Sequence, residues 1–347
     1  MIRQILFLLL LGFISADVKA QDPIFSQFYS SPLMLNPAFA GNTYAPRIAF
    51  NYRSQYPNWA DGTTAYATYA ASYEQFIEDF NSGFGLMLKS DDAGGGLYKM
   101  TKFNADYAYR VQVNRDFNLK FGVEAGFRQF NIDWDRLIFF DQLDELTGAV
   151  DQAGNPNPTN EVRPENLNKT YFDVGAGILA YGPMFYGGVS LKHLTRPDES
   201  ILGINGGLNE GLAMRISVHG GAQLTVKEGN NRTPAAFISP NLLYIKQGDQ
   251  GQLNVGAYAS MGVVFAGGWY RHAFSNPDAA IILVGVKKDI FKIGYSYDFT
   301  VSQLQTQASS GTNGAHEISL VLNFDQSEAF KRRRFNGRYN DCFQIFR

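Results

Sequence analysis

The clearest regularity in this chain has period two. In residues 290–299, Phe291, Ile293, Tyr295, Tyr297 and Phe299 fall on one face of an extended backbone, with Lys292, Gly294, Ser296 and Asp298 on the other. In residues 314–324, Ile318, Leu320, Leu322 and Phe324 oppose Glu317, Ser319, Val321 and Asn323. Residues 97–113 set Phe103, Tyr107, Tyr109, Val111 and Val113 against Lys102, Asn104, Asp106, Arg110 and Gln112. After a turn at 114–116, Phe117, Leu119, Phe121, Val123 and Phe127 oppose Lys120, Glu124 and Arg128. Similar runs occupy 47–53, 64–76, 83–89, 170–180, 185–194, 213–226, 235–246, 252–262, 263–272 and 279–286. Strands of this length with an aromatic-rich apolar face predict an all-β fold, a transmembrane antiparallel β-barrel of about 14 strands; twelve or sixteen also fit. The weakest runs are 235–246, which contains Pro240, and 281–284, apolar on both faces.

The connections alternate between tight turns (114–116, 182–183, 288–289) and long loops (131–168, 196–212, 302–313). Short periplasmic turns and longer extracellular loops have that asymmetry, with both termini on the short-turn side. Composition agrees: 28 Phe and 19 Tyr suit strands and interfacial girdles, and 35 Gly suit turns and crowded walls. A net charge of −2, without a basic stripe, excludes nucleic acid as the expected partner. Cys342 is the only cysteine, so no disulfide within the chain supports the fold.

Four segments follow. Residues 1–20 read as a signal peptide: Arg3 precedes an apolar run, and Val18 and Ala20 occupy the cleavage-site positions, so the expected location is the outer membrane after cleavage near Ala20. Residues 21–45 contain Pro23, Pro32 and Pro37, which prevent long pairing, and Phe25, Phe28 and Tyr29, which are too apolar for a free tail. The expectation is a periplasmic or lumenal strap, with partner binding as the alternative. Residues 46–324 are the barrel. Residues 325–347 form a basic periplasmic tail in which Lys331, Arg332, Arg333 and Arg334, followed by Phe343 and Phe346, are candidates for contact with a partner or with anionic headgroups. The aromatics Trp134, Phe139 and Phe140 of the long loop are candidates on the opposite side.

The charges assigned to the lumen carry both signs: Arg47, Arg53, Lys102, Arg110, Lys120, Arg128, Lys192 and Lys292 against Asp106, Glu124, Asp173, Asp298 and Glu317. A selective pore carries rings of one sign, whereas mixed charges pair across a narrow lumen, which favours a plugged barrel over an open porin. No catalytic motif is present, no cofactor is expected, and His193, His219, His272 and His316 are read as wall or interfacial residues. The loop carboxylates Asp133, Asp135, Asp141, Asp144, Glu145 and Asp151 lack EF-hand spacing and are read as a solvated acidic loop before a calcium site. The sequons at Asn168 and Asn231 carry little weight.

The start QDPIFSQFYSSPLMLNPAFAG resembles the opening of the PorP/SprF family of Bacteroidetes outer-membrane proteins, with Gln21, Asp22 and Pro23 and then residues 35–41 matching its two elements. The runs IGYSYDFTVSQL and GAHEISLVLNF are similar to the closing strands of that family, with FYGGVSLKHL and WYRHAF in the expected order between. The resemblance implies a non-enzymatic barrel of the type IX secretion system, or of the linked gliding and adhesin apparatus, embedded in outer-membrane lipid. It also implies partners: periplasmic lipoproteins of the machine, or a secreted cargo or adhesin with a C-terminal sorting domain. A channel for small solutes is the alternative, and a soluble secreted β protein a third.

Overall fold

The computed structural model describes residues 22–57, 63–199, 211–228, 235–274, 276–302, 313–326 and 341–346. The leader at 1–20, the basic run Lys331, Arg332, Arg333 and Arg334, and Asn231 lie outside the described residues. Fifteen strand segments form one antiparallel sheet. They are β1 (Arg47–Gln55), β2 (Tyr66–Ile77), β3 (Ser82–Ala93), β4 (Tyr98–Gln112), β5 (Asn118–Ile132), β6 (Asn168–Tyr181), β7 (Phe185–Lys192) and β8 (Arg215–Ala222). The series continues through β9 (Leu224–Lys227), β10 (Ala236–Gln247), β11 (Gln250–Met261), β12 (Val264–Ala273), β13 (Asn276–Lys288), β14 (Phe291–Thr300) and β15 (Ala315–Asn323). β8 and β9 both pair with β10 as two parts of one stave, so the sheet has fourteen staves. Pairing of β15 with β1, and of β10 with β11, closes it into a barrel. Among the described residues no helix is long and apolar enough to cross a membrane; the staves are what cross.

Alternation accounts for the wall. Phe103, Tyr107 and Tyr109 of β4 are exposed to the outside, while Lys102, Asn104 and Asp106 between them are buried. The run that is apolar on both faces obeys the same rule: Ile282 and Val284 point outward at 55% and 52% exposure, and Ile281 and Leu283 pack inward at 3% and 1%. Pro240 stands within an intact strand because the neighbouring stave breaks opposite it. Partners pass from Asn241↔Gly221 to Ile238↔Leu224, skipping Ser239 and Pro240, so on that side the ladder does not require the N–H that proline lacks.

The lumen is filled by the chain itself. Asp22 lies at the long-loop end, where its backbone N–H donates to Gln247 Oε1 at 3.0 Å, and Ala45 lies at the short-turn end, donating to Asp325 Oδ1 at 2.9 Å. Residues 22–45 thus run down the inside of the barrel before β1 departs. This corrects the N-terminal half of the expectation that both termini sit on the short-turn side, since the first described residue lies at the other end: three prolines keep the segment out of the wall, and its aromatic side chains find their cover inside. Leu35 to Gly41 lies against bare backbone. A Cβ on Gly83 would stand 1.9 Å from the Ala40 carbonyl oxygen, and one on Gly122 2.2 Å from the Ala38 nitrogen, so only glycine lets strap and wall approach this closely.

Residues 341–346 return into the short-turn mouth, where Cys342, Phe343, Ile345 and Phe346 are buried. The end of the tail expected in the periplasm is therefore inside the barrel, because it carries more apolar surface than water tolerates. Replacing Gly83 with Val should displace the strap and destabilise the barrel by about 1–3 kcal/mol, as overpacking does. Gly268→Ala, whose Cβ meets nothing nearer than 3.7 Å, should change little. Urea midpoints and protease cleavage within the strap measure both.

Candidate functional site

Two bodies of residues stand out: the charged lattice that binds the strap to the wall, and the long loop between β5 and β6. The lattice begins with Glu317 on β15. Its Oε2 and Oε1 accept the successive backbone N–H groups of Ser26 and Gln27, each at 2.8 Å, and Arg53 lies 3.2 Å from Oε2. Arg53 also contacts Asp298 at 2.9 Å, and Arg271 contacts the same Asp298 oxygen at 3.0 Å and pairs with Asp278. The Ser26 hydroxyl donates to Asp298 at 2.6 Å and accepts from Arg53 at 2.7 Å. Strands β1, β12, β13, β14 and β15 are thereby joined through one serine of the strap.

Across the lumen, Asp22 fills the corresponding place. It lies 2.9 Å from Arg128 and 2.7 Å from His193 Nε2, and His193 Nδ1 is 2.7 Å from Asp173. Below it, Glu124 receives Lys102 at 2.5 Å and Lys192 at 2.6 Å. Asn104 donates to Asp106 at 2.8 Å. Nearer the short-turn end, Lys120 and Lys192 donate to the strap carbonyls of Ala40 and Leu33, at 2.5 and 3.2 Å. Arg47 bridges Glu74 at 2.8 Å and the Ser30 carbonyl at 2.9 Å. Arg110, half-buried, donates to Asn81 and to the Tyr44 hydroxyl, with its guanidinium 4.3 Å from the Phe76 ring centre. Removed from water, charges of this kind are costly without partners, and the strap supplies a share of those partners.

The other half of the lumen is aromatic. Lys292 Nζ lies 5.3 Å from the ring centres of Tyr29, Tyr258 and Phe265, and donates to the Ile345 carbonyl at 2.6 Å. Phe25, Phe28, Tyr29, Phe343 and Phe346, all candidates for contact with a partner, are covered by the wall at 6% exposure or less. Tyr29 stacks on Trp269 at 5.8 Å. His219 is buried with its Nε2 3.0 Å from Asn36 Nδ2, whereas His272 and His316 are half-buried. The contributions of Asp22, Glu74, Arg215 and Arg271 went unread in the sequence. Strict alternation from Phe265 and Trp269 leads to Arg271, but the inward face there is aromatic and gives no polar signal.

In the long loop, Asp144 and Asp151 are each used by their own turn. Asp144 accepts from the amides of Leu146 and Thr147, at 2.8 and 3.0 Å, and Asp151 from those of Ala153 and Asn155, both at 2.8 Å. Asp135 pairs with Arg163. Among the described residues no group of acids, histidines or cysteines could hold a metal ion. The apolar residues of this loop face solvent instead: Phe140 is 91% exposed and Leu146 95%, beside Trp134 and Phe139, whose rings contact at 4.9 Å.

A family profile described as type IX secretion system membrane protein PorP/SprF matches residues 17–322. No curated protein matches. Among solved structures, the chain is similar to the toluene transporter TbuX of Ralstonia pickettii at 9% identity, covering 84% of this chain and 92% of that one, with a TM-score of 0.48. It is similar to a mutant of the TodX monoaromatic hydrocarbon channel at 10% identity (83% and 92% covered, TM-score 0.43) and to a mutant porin of Rh. blastica at 9% (80% and 98%, TM-score 0.33). At these identities the likenesses say nothing of what this barrel binds.

Glu317→Ala should leave two buried strap amides without an acceptor and take from Arg53 one of its two carboxylates, destabilising the protein by about 3–5 kcal/mol. Arg163→Ala, at an exposed pair, should change stability by less than about 0.5 kcal/mol. Urea titration followed by tryptophan fluorescence compares the two. The amide hydrogen bonds from Leu146 and Thr147 hold Asp144 below its usual 3.8. A lowered pKa means that the turn is supported above the ordinary carboxylate value and loses that support as pH falls through the lowered one. Protection of the Leu146 and Thr147 amides, taken as exchange relative to the intrinsic rate at each pH, should therefore persist to below pH 3.8 and fall at more acid values.

Proposed function

Because the chain belongs to the PorP/SprF family of type IX secretion system membrane proteins, we propose that this outer-membrane barrel works by binding, docking the secretion machinery on one side and a secreted protein on the other. The observation that carries this reading is the filled lumen. A strap tied to one wall by the ion pairs of Asp22 and to the opposite wall by buried hydrogen bonds to Glu317 and Asp298 occupies the space a solute would need, which favours binding at the two rims over passage between them. The long loops, chiefly residues 131–168 and 196–212, would face the cell exterior and meet a cargo or adhesin bearing a C-terminal sorting domain. Exposed Phe140 and Leu146, beside Trp134 and Phe139, supply apolar anchors of the kind that protein interfaces use. The short turns would face the periplasm and its lipoproteins. Nothing in this reading calls for catalysis. The signal peptide would be cleaved near Ala20.

Crosslinking in intact cells, followed by capture of the barrel and mass spectrometry, tests the proposal. Recovery of periplasmic lipoproteins or of a secreted protein with a C-terminal sorting domain is the expected result; recovery of the barrel alone, with a control complex crosslinked well, counts against docking. The double change Phe140→Asp and Leu146→Asp should cut recovery of the exterior partner about tenfold or more, the loss expected of interface anchors, while the barrel stays folded in heat-modifiability gels. The alternative, a solute channel, predicts steady conductance across a planar bilayer, whereas the plugged barrel should be silent.

A further inference from the structure

We propose that the short-turn mouth of the barrel is a peptide socket, occupied by the chain's own residues 341–346 and open by exchange to another peptide with two aromatic side chains three residues apart. The socket is made of Tyr181 at the end of β6, Tyr186 at the start of β7 and Phe39 of the strap. Its parts are held independently of the occupant. The Tyr186 hydroxyl donates to Asn241 Oδ1 at 2.6 Å, and Phe39 sits on a turn capped by Asn36, whose Oδ1 accepts the Ala38 N–H at 2.8 Å.

The occupant engages through side-chain spacing. The turn Phe343–Ile345 brings Phe343 and Phe346 to one side, with ring centres 4.7 Å from Tyr181 and 4.7 Å from Phe39 respectively. Tyr186 touches both, at 5.8 and 5.3 Å. Two polar contacts to wall side chains align its backbone: Lys292 donates to the Ile345 carbonyl, and Gln223 Oε1 accepts the Gln344 N–H at 3.2 Å. Both can be repeated by any peptide in the same conformation, because they read main-chain atoms. The strap is held differently, by the ion pairs of Asp22 on one side of the lumen, by the hydrogen bonds of Ser26 and Gln27 to Glu317 and Asp298 on the other, and by direct continuation into β1. Residues 341–346 belong to no strand of the sheet and bury Cys342, Phe343, Ile345 and Phe346 in the mouth, a gain offset by the order imposed on the segment. A seat of that kind is governed by mass action, so a competing peptide empties it in proportion to its concentration.

Cys342, the only cysteine of the chain, is fully buried in the seated segment and reports its release without any engineered label. The full-length protein in lipid vesicles is treated with a small maleimide, with heat-modifiability gels reporting that the barrel remains folded. A synthetic peptide of residues 335–347 carrying Cys342→Ser is then added. Modification is expected to be about tenfold or more slower than in the denatured chain, and to accelerate saturably with the peptide, as competition for one seat requires. A peptide carrying also Phe343→Ala and Phe346→Ala should have no effect, and Tyr186→Ala in the barrel should speed modification with no peptide present. Modification as fast as in the denatured chain would overturn the seating of the segment. A slow rate unmoved by the peptide at any concentration would overturn the exchange.

Discussion

Most of the described charges on the inner face of this barrel have been taken out of water, and the structure depends on how that cost is met. A wall stave supplies inward side chains at alternate positions and has no means of satisfying them alone. Neighbouring staves meet part of the demand, as where Glu124 gathers Lys102 and Lys192. The rest falls to the strap. Two consecutive amides are given to Glu317, one hydroxyl to Asp298, one carboxylate to Arg128 and His193, and a row of carbonyls to Lys192, Lys120 and Arg47. The strap can offer these groups because its only regular structure is two short helical turns, Pro32–Leu35 and Pro37–Phe39, which leave many of its backbone donors and acceptors for the wall.

That also explains an odd composition. Pro23, Pro32 and Pro37 in a segment otherwise rich in aromatics look contradictory until the segment is seen inside a barrel. The prolines keep it from joining the sheet, and the aromatics pack on the non-polar half of the lumen formed by Tyr258, Phe265 and Trp269. The glycines of the wall belong to the same arrangement. Gly83 and Gly122 remove side chains where the strap crosses, so that backbone lies on backbone.

Much of the wall was legible in the sequence because alternation is a local property. The staves, their outward aromatics and the alternate short and long connections follow from neighbouring residues alone. The path of the strap was not legible, since it depends on contacts such as Asp22 with His193 and Ser26 with Glu317 that join distant parts of the chain. Arg271 escaped notice for a related reason: its inward neighbours Phe265 and Trp269 are aromatic and form no polar run that would single it out. The tail's final residues were recognised as apolar, but nothing local says that the surface they need is the inside of the same barrel.

The separation of the strap from its partners in sequence has a kinetic consequence. Ser26 and Gln27 bond to Glu317 across 291 and 290 residues, and Arg53 finds Asp298 across 245. Contacts of such high order cannot form until nearly all of the sheet exists, because the loop they close spans almost the entire molecule. The same final strand that seals the wall against β1 also delivers Glu317 to the strap. Seam closure and locking of the plug are then one event, and an unsealed barrel is also an unlocked one.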